Sequence, residues 1–140
     1  MILSLDANVL IDLANGRRPA VRERFNASIA GGDVLVTCAI AAHELLYGAA
    51  ISRRREAETQ TASLLLDQLT VAEFTREDAL AAADLRHRLR GFGQSIGAFD
   101  TLIAAQCLDR GWTMVTGNVQ EFARVPGLSV IDWTSRPETP

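Results

Sequence analysis

The 140-residue chain predicts an α/β fold, with a mostly parallel central sheet of about five strands flanked by helices. Three observations carry that expectation. The strand candidates are short and apolar throughout rather than alternating, as strands covered on both faces are. Between them lie segments with apolar residues three and four apart, the helical spacing. Gly, Pro or a capping residue marks most of the joins. The length suits one domain, 1–134, followed by a loose tail at Ser135–Pro140.

The opening run Ile2-Leu3-Ser4-Leu5 reads as a buried strand that ends at Asp6, and Val9, Leu10 and Leu13 then share one face of a short helix. Asn15-Gly16 stops it. Pro19 suits the first turn of a second helix over Ala20–Ala30, which Gly31-Gly32 ends. Asp33–Thr37 reads as a strand, with Thr37 expected to cap the helix Cys38–Ser52. Arg53–Leu69 continues as a helix with an Arg-rich start, and Val71–Phe74 is a short strand or extended link. Thr75-Arg76-Glu77-Asp78 resembles a capping box, with Asp in the usual Glu or Gln position, opening a helix to Arg90. After the loop Gly91–Gly97, helical spacing returns over Ala98–Arg110, and Gly111 closes it. Trp112–Thr116 is a further strand and Gly117–Phe122 a turn with a short helix. Pro126-Gly127 favours a type II turn before the last strand, Leu128–Trp133.

Hydrophobic residues make up 48% of the chain and charged residues 22%, and no apolar run is long enough to span a bilayer, so no membrane association is expected. The N-terminal stretch lacks a basic flank and contains Asp6 and Asp12, unlike a secretory signal, so the expected location is cytoplasmic. Cys38 and Cys107 sit among small and apolar neighbours and read as buried thiols. A net charge of −3 counts against a protein that coats nucleic acid. The distribution qualifies this, because all 14 basic residues are Arg and many cluster at Arg17–Arg24, Arg53–Arg55 and Arg86–Arg90. Such clusters are either solvated helix faces or contacts for phosphate, which a guanidinium grips with two donors. Arg17, Arg18, Arg86 and Arg90 are the candidate contacts of that kind.

The acids are better placed than the bases to do chemistry. Asp6 stands where a strand passes into a helix, and N-capping alone accounts for an Asp there. Glu44 is the only residue of fixed charge from Cys38 to Ile51, and its helical neighbours Ile40, Ala41, Tyr47 and Gly48 are apolar or small. Asp100 is the only charged residue from Gly91 to Leu108, and Ile103, Ala104 and Cys107 share its face. It also suits the macrodipole of its helix start. Thr116, Asn118 and Glu121 follow the strand at Trp112–Val115. In a parallel sheet, ligands bind beyond the carboxyl ends of the strands, where Asp6, Glu44 and the Thr116–Glu121 group all fall. Asp100 must arrive from its own helix start. Three carboxylates at about 5 Å would repel by roughly 3 kcal/mol per pair at an effective dielectric of about 20. They must protonate or hold a cation. With no Cys/His set to recruit zinc, a hard ion such as Mg²⁺ or Mn²⁺ is the expected cofactor, and phosphodiester hydrolysis the chemistry it serves.

Four stretches carry a family resemblance. Leu5-Asp6-Ala7-Asn8-Val9-Leu10-Ile11, Ala42-His43-Glu44-Leu45-Leu46-Tyr47-Gly48, Ile96-Gly97-Ala98-Phe99-Asp100-Thr101-Leu102-Ile103-Ala104-Ala105 and Thr116-Gly117-Asn118-Val119-Gln120-Glu121-Phe122 resemble, in order, the motifs of PIN-domain ribonucleases. Within that family the chain is most similar to the VapC toxins of bacterial toxin–antitoxin modules, over nearly its whole length. The resemblance implies a PIN-like domain, a homodimer, metal-dependent endonucleolytic cleavage of RNA, with tRNA one candidate target, and inhibition by a VapB-type antitoxin. It matches Asp6, Glu44 and Asp100 to the metal-binding acids. Asn118 and Glu121 both lie where members place a further polar or acidic residue, and Thr116 is placed to orient it. The chain departs from the pattern at Ala7, where Thr or Ser is common, and at Ala98, often Pro.

Two other readings compete. A phosphatase with an aspartyl nucleophile wants a second acid two residues after Asp6, where this chain has Asn8. A non-catalytic binding module on the same fold would be expected to have lost an acid, and all three principal acids are present.

Overall fold

A computed structural model describes residues 1–135. The elements run β1 (Ile2–Leu5), α1 (Ala7–Asn15), α2 (Pro19–Ala30), β2 (Val34–Cys38), α3 (Ala39–Ala50), α4 (Arg55–Asp67), β3 (Thr70–Ala72), α5 (Arg76–Gly91), α6 (Ala98–Asp109), β4 (Thr113–Val115), α7 (Val119–Phe122) and β5 (Val130–Ile131). The five strands form one sheet in the order β3-β2-β1-β4-β5, with every pairing parallel. The fold is therefore the α/β arrangement that the apolar strands predict. No helix among the described residues is long and apolar enough to cross a membrane.

Strand β1 is the centre of the sheet, and its last residue, Leu5, lies in register with Thr37 of β2 and Val115 of β4. The chain builds outward from β1 through β2 to β3, then crosses to the other side for β4 and β5. The strand order thus reverses between β1 and β4, which is where a parallel sheet opens a crevice at its carboxyl edge. Leu5, Val9, Leu10, Phe25, Ile103, Met114 and Val115 are fully or almost fully buried in one core that spans the sheet. Each such side chain contributes about 2 kcal/mol from burial. Phe25 and Trp133 meet edge to face in it, with centroids 6.5 Å apart.

Local signals place the helices. Asp6 Oδ1 accepts from Val9 N at 2.9 Å and caps α1, which Gly16 ends at φ 66° in the left-handed region. Thr75 and Asp78 form the reciprocal capping box of α5, at 2.8 and 3.2 Å. Leu128 N donates to Val125 O across Pro126-Gly127, with Gly127 at φ 82°, as a type II turn needs.

The structure corrects the sequence reading in places. Thr37 is the penultimate residue of β2 and caps nothing; its hydroxyl donates to Leu5 O at 2.8 Å across the sheet, and Cys38 precedes α3 without a side-chain cap. The expected helix Arg53–Leu69 is trimmed at both ends to α4, and the last strand shrinks from Leu128–Trp133 to β5. Cys38 and Cys107 are both buried and unpaired, as expected. Apart from Ser135, the expected tail lies outside the described residues.

Candidate active site

The carboxyl ends of β1 and β4 set the first two groups side by side. Asp6 follows β1 and Thr116 follows β4, and Asp6 N continues the ladder to Val115 O at 3.0 Å. The Thr116 hydroxyl donates to Asp6 Oδ2 in a short hydrogen bond. Both residues are buried, Asp6 at 3% exposure. One carboxylate oxygen is thus committed to the α1 cap and the other to Thr116, so capping and a site role are not exclusive.

Thr116 also accepts from Asn118 N at 3.0 Å, which shapes the turn that launches α7. The Asn118 side-chain amide then donates to Glu121 Oε2 in a second short hydrogen bond. Glu121 Oε1 accepts from Gly97 N at 3.0 Å. Gly97 precedes α6, and a Cβ there would stand 3.2 Å from Asp100 Oδ2 and 3.7 Å from Glu121 Oε1. The backbone at Gly97 therefore gives the two carboxylates room to face each other. Asn118 and Glu121 are both at the site, but in different relations: the amide holds the acid, and the acid meets Asp100.

Charge binds the four acids into one cluster. Burial pushes the Asp100 carboxyl up from 3.8 to about 6, with repulsion from Glu121, Glu44 and Asp6 and a hydrogen bond with Glu121 adding to it. Burial likewise raises Asp6 to about 6, against the hydrogen bonds from Thr116 and Val9, while Asp12 and Glu44 raise it further. Partial burial also raises Glu44 above the usual range, countered by His43. Among the described residues, no three His, Cys, Asp or Glu side chains already stand at the spacing of a closed metal cage. The arrangement is a set of mutually repelling acids of which Asp6 and Asp100 are tuned to take up protons. An all-oxygen set of this kind suits a hard divalent cation, which would relieve the repulsion.

The arginines divide. Arg86 and Arg90 line a cavity of about 430 Å³ with Leu89, Ser95, Ala98 and Thr101, so they border the same first turn of α6 that carries Asp100. Arg124 reaches the rim of this region by donating to Ser95 O at 3.1 Å. Arg17 lines a separate cavity of about 490 Å³ beside α1, α3 and α4. Arg18 is tied to Asp12 at 3.4 Å. The structure thus sets Arg86 and Arg90 at a cavity bordered by the first turn of α6, which also carries Asp100, and Arg17 and Arg18 on the other side, beside α1 and α3.

Sequence reasoning passed over Gly97 and a group of rings. His43, read as a surface or packing residue, stacks on Tyr47 at 6.3 Å and meets the edge of Phe99 at 5.9 Å, joining α3 to α6. The available signal was that His43 and Phe99 immediately precede Glu44 and Asp100 in the chain.

An acid cluster at the switch point of a parallel sheet defines a class of α/β proteins built to hold a cation at their strand ends. Residues 3–128 match the PIN domain family model. The tRNA(fMet)-specific endonuclease VapC of Shigella flexneri is 32% identical over 130 residues, covering 93% of this chain and 96% of that protein. The crystal structure of VapBC2 from Rickettsia felis bound to a DNA fragment from their promoter superposes with a TM-score of 0.88 at 27% identity, over 95% of this chain and 99% of that one. The structure of VapBC-1 from nontypeable Haemophilus influenzae gives a TM-score of 0.84 at 31% identity, over 96% of this chain and 100% of that one. The chain belongs to the PIN-domain family and, within it, to the VapC ribonucleases.

Proposed function

We propose that this protein is a divalent-metal-dependent endoribonuclease, the toxin of a VapBC toxin–antitoxin pair, and that Asp6, Glu44, Asp100 and Glu121 are its working acids. The observation that carries the reading is the coupling of these carboxylates, delivered by the end of β1, α3, the first turn of α6 and α7 to one place. Relatives of similar length that bear the ribonuclease name support the reaction class. Resemblance to tRNA(fMet)-specific enzymes makes tRNA the first substrate to try.

Asp6, Glu44 and Asp100 would hold the ion, Mg²⁺ with Mn²⁺ as a substitute, and Glu121 would complete the set. Such an ion supplies activation of water and neutralisation of charge on a phosphoryl group. The remaining work belongs to the chain. Val9 N and Thr116 fix both oxygens of Asp6, so its carboxylate is oriented before anything binds. Asn118 and Gly97 do the same for Glu121. Asp100, hydrogen-bonded to Glu121 and raised to about 6, is mostly ionised at neutral pH and would be available there to hold the ion. Arg86 and Arg90 supply positive charge on the flank of the cluster, where the RNA backbone needs it.

The protein acts on this proposal in the cytoplasm, as a homodimer, until a VapB-type antitoxin binds it. VapBC assemblies among its structural relatives support that pairing. Asn8, the place of a second acid in an aspartyl phosphatase, lies exposed on α1. Asp6→Asn and Asp100→Asn should each abolish Mg²⁺-dependent RNA cleavage while leaving the circular dichroism spectrum unchanged. Full cleavage by folded Asp100→Asn protein would overturn the proposal, and phosphomonoester turnover through a trapped Asp6 adduct would replace it with the phosphatase.

A further inference from the structure

Of the eight aromatic residues, Phe25, Phe122 and Trp133 are buried and Phe74 and Trp112 half-buried. Three stand out as exposed: Tyr47 at 60%, Phe99 at 47% and Phe92 at 62%. Two of those three, Tyr47 and Phe99, belong to the trio with His43, whose members His43 and Phe99 immediately precede the acids Glu44 and Asp100, and His43 acts on the Glu44 carboxyl. Leaving such rings in water costs hydrophobic free energy, so their grouping beside the acids calls for an occupant.

The first turn of α6 separates two kinds of surface. Ala98 and Thr101 face the arginine-lined cavity, Asp100 joins the acids, and Phe99 joins His43 and Tyr47. Around this turn Phe99 and Thr101 project to either side of Asp100, so the rings and the arginine-lined cavity take different sides of that acid. A single-stranded nucleic acid has the matching order: phosphates that want positive charge and, when unpaired, bases that want a π-face. The ring geometry agrees. His43 and Tyr47 lie nearly parallel, at 16°, while Phe99 stands at 74° to His43, so the trio forms an angled recess rather than a flat apolar sheet.

We propose that His43, Tyr47 and Phe99 form a stacking site for one unpaired nucleobase of the RNA, next to the scissile phosphate and on the side opposite the Arg86–Arg90 cavity. This rests on the ribonuclease reading above. The acids set where the strand is cut, and the trio selects an unstacked nucleotide beside the cut. A base inside a continuous helix cannot present its face to these rings, so local unpairing becomes a condition of cleavage.

The test uses an RNA that the wild-type protein cuts, with 2-aminopurine placed in turn at each nucleotide adjacent to the mapped cut. Binding to full-length Asp100→Asn protein with Mg²⁺ should quench the fluorophore at one of these positions. Adding Tyr47→Ala or Phe99→Ala should remove the quench and weaken binding about 5- to 150-fold, the range of one lost base stack. Tyr47→Phe, which keeps the ring, should restore both, whereas a role for the hydroxyl would leave both lost. On the wild-type acid set, Tyr47→Ala should raise KM far more than it lowers kcat. Quenching that persists in both folded alanine variants overturns the proposal. So does a shift from dimer to monomer in Tyr47→Ala or Phe99→Ala with RNA affinity unchanged, which makes the rings a contact between copies of the chain. If the wild-type protein cuts no RNA with any divalent ion, the ribonuclease reading itself falls, and that result is separate from the quenching experiment.

Discussion

Asp6 illustrates how much a single carboxylate can be asked to do. It caps α1, accepts the Thr116 hydroxyl and faces other acids, and burial raises it to about 6. A carboxyl raised from 3.8 binds more protons folded than unfolded, so its effect on stability is fully favourable below about pH 4 and is lost as pH rises through 6. For Asp6 a shift of that size is worth about 3 kcal/mol, and Asp100 acts in the same direction. Saturating Mg²⁺ opposes the loss by pairing with the ionised forms. The metal-induced rise in Tm should therefore be several degrees at pH 7.5 and small at pH 5, as scanning calorimetry at both pH values would show. An equal rise at both would mean that these acids are not the ligands. The acids were readable from the sequence because an isolated charge in an apolar helix is conspicuous, as Glu44 and Asp100 are. One contact that orients them was not, since the second donor to Glu121, beside Asn118, is the backbone N–H of Gly97, and a main-chain amide leaves no mark on the sequence.

Helices α5 and α6 form a unit held by Asp78. Its carboxylate accepts from Thr75 N at 2.8 Å, from Gln106 Nε2 at 3.0 Å and from Arg110 Nη2 at 2.7 Å. Burial alone would raise it, but those three donors and the Arg110 charge hold it below the usual carboxylate range. Its sign is opposite to that of Asp6, because stability it supplies is present at neutral pH and lost as pH falls through its lowered pKa. Asp78→Ala leaves Arg110 and Gln106 without their acceptor, and should cost about 3 kcal/mol in urea unfolding while RNA cleavage under native conditions stays near wild type. A cost below about 1 kcal/mol would mean that the capping box alone accounts for its role. The capping box itself was foreseeable, since Thr75 and Asp78 are neighbours in the chain. The pair with Arg110 spans 32 residues and no local pattern announces it. Thr37 failed as a predicted cap for the same reason: a better acceptor, Leu5 O, lay across the sheet.

For the molecule as a whole, net charge and function pull in different directions, with −3 overall and a polyanion as the proposed substrate. Segregation resolves the conflict, because Arg86 and Arg90 stand together at a cavity beside α6. Replacing both with Ala should weaken RNA binding at low salt and flatten the dependence of log K on log salt by about 1.4, at roughly 0.7 per phosphate contact for single strands. An unchanged slope in filter-binding titrations would return both residues to solvated helix faces. Arg17→Ala, beside the other cavity, should leave the slope as it is. The parallel sheet was foreseeable from strands that are apolar on both faces, and so was its approximate strand count. The order β3-β2-β1-β4-β5 required the three-dimensional structure, since periodicity says what an element is and not which neighbour it takes.

That order has a consequence for synthesis. Strand β1 is made well before its second neighbour, β4, and the Thr116 that steadies Asp6, with a sequence separation of 110 between the two side chains. At about 5–20 residues per second, several seconds pass in which Asp6 exists without Thr116, Asn118 or Glu121. A nascent chain therefore carries its first acid long before it carries a working centre, and a ribosome translating this protein is not exposed to its product until nearly the last strand has been made.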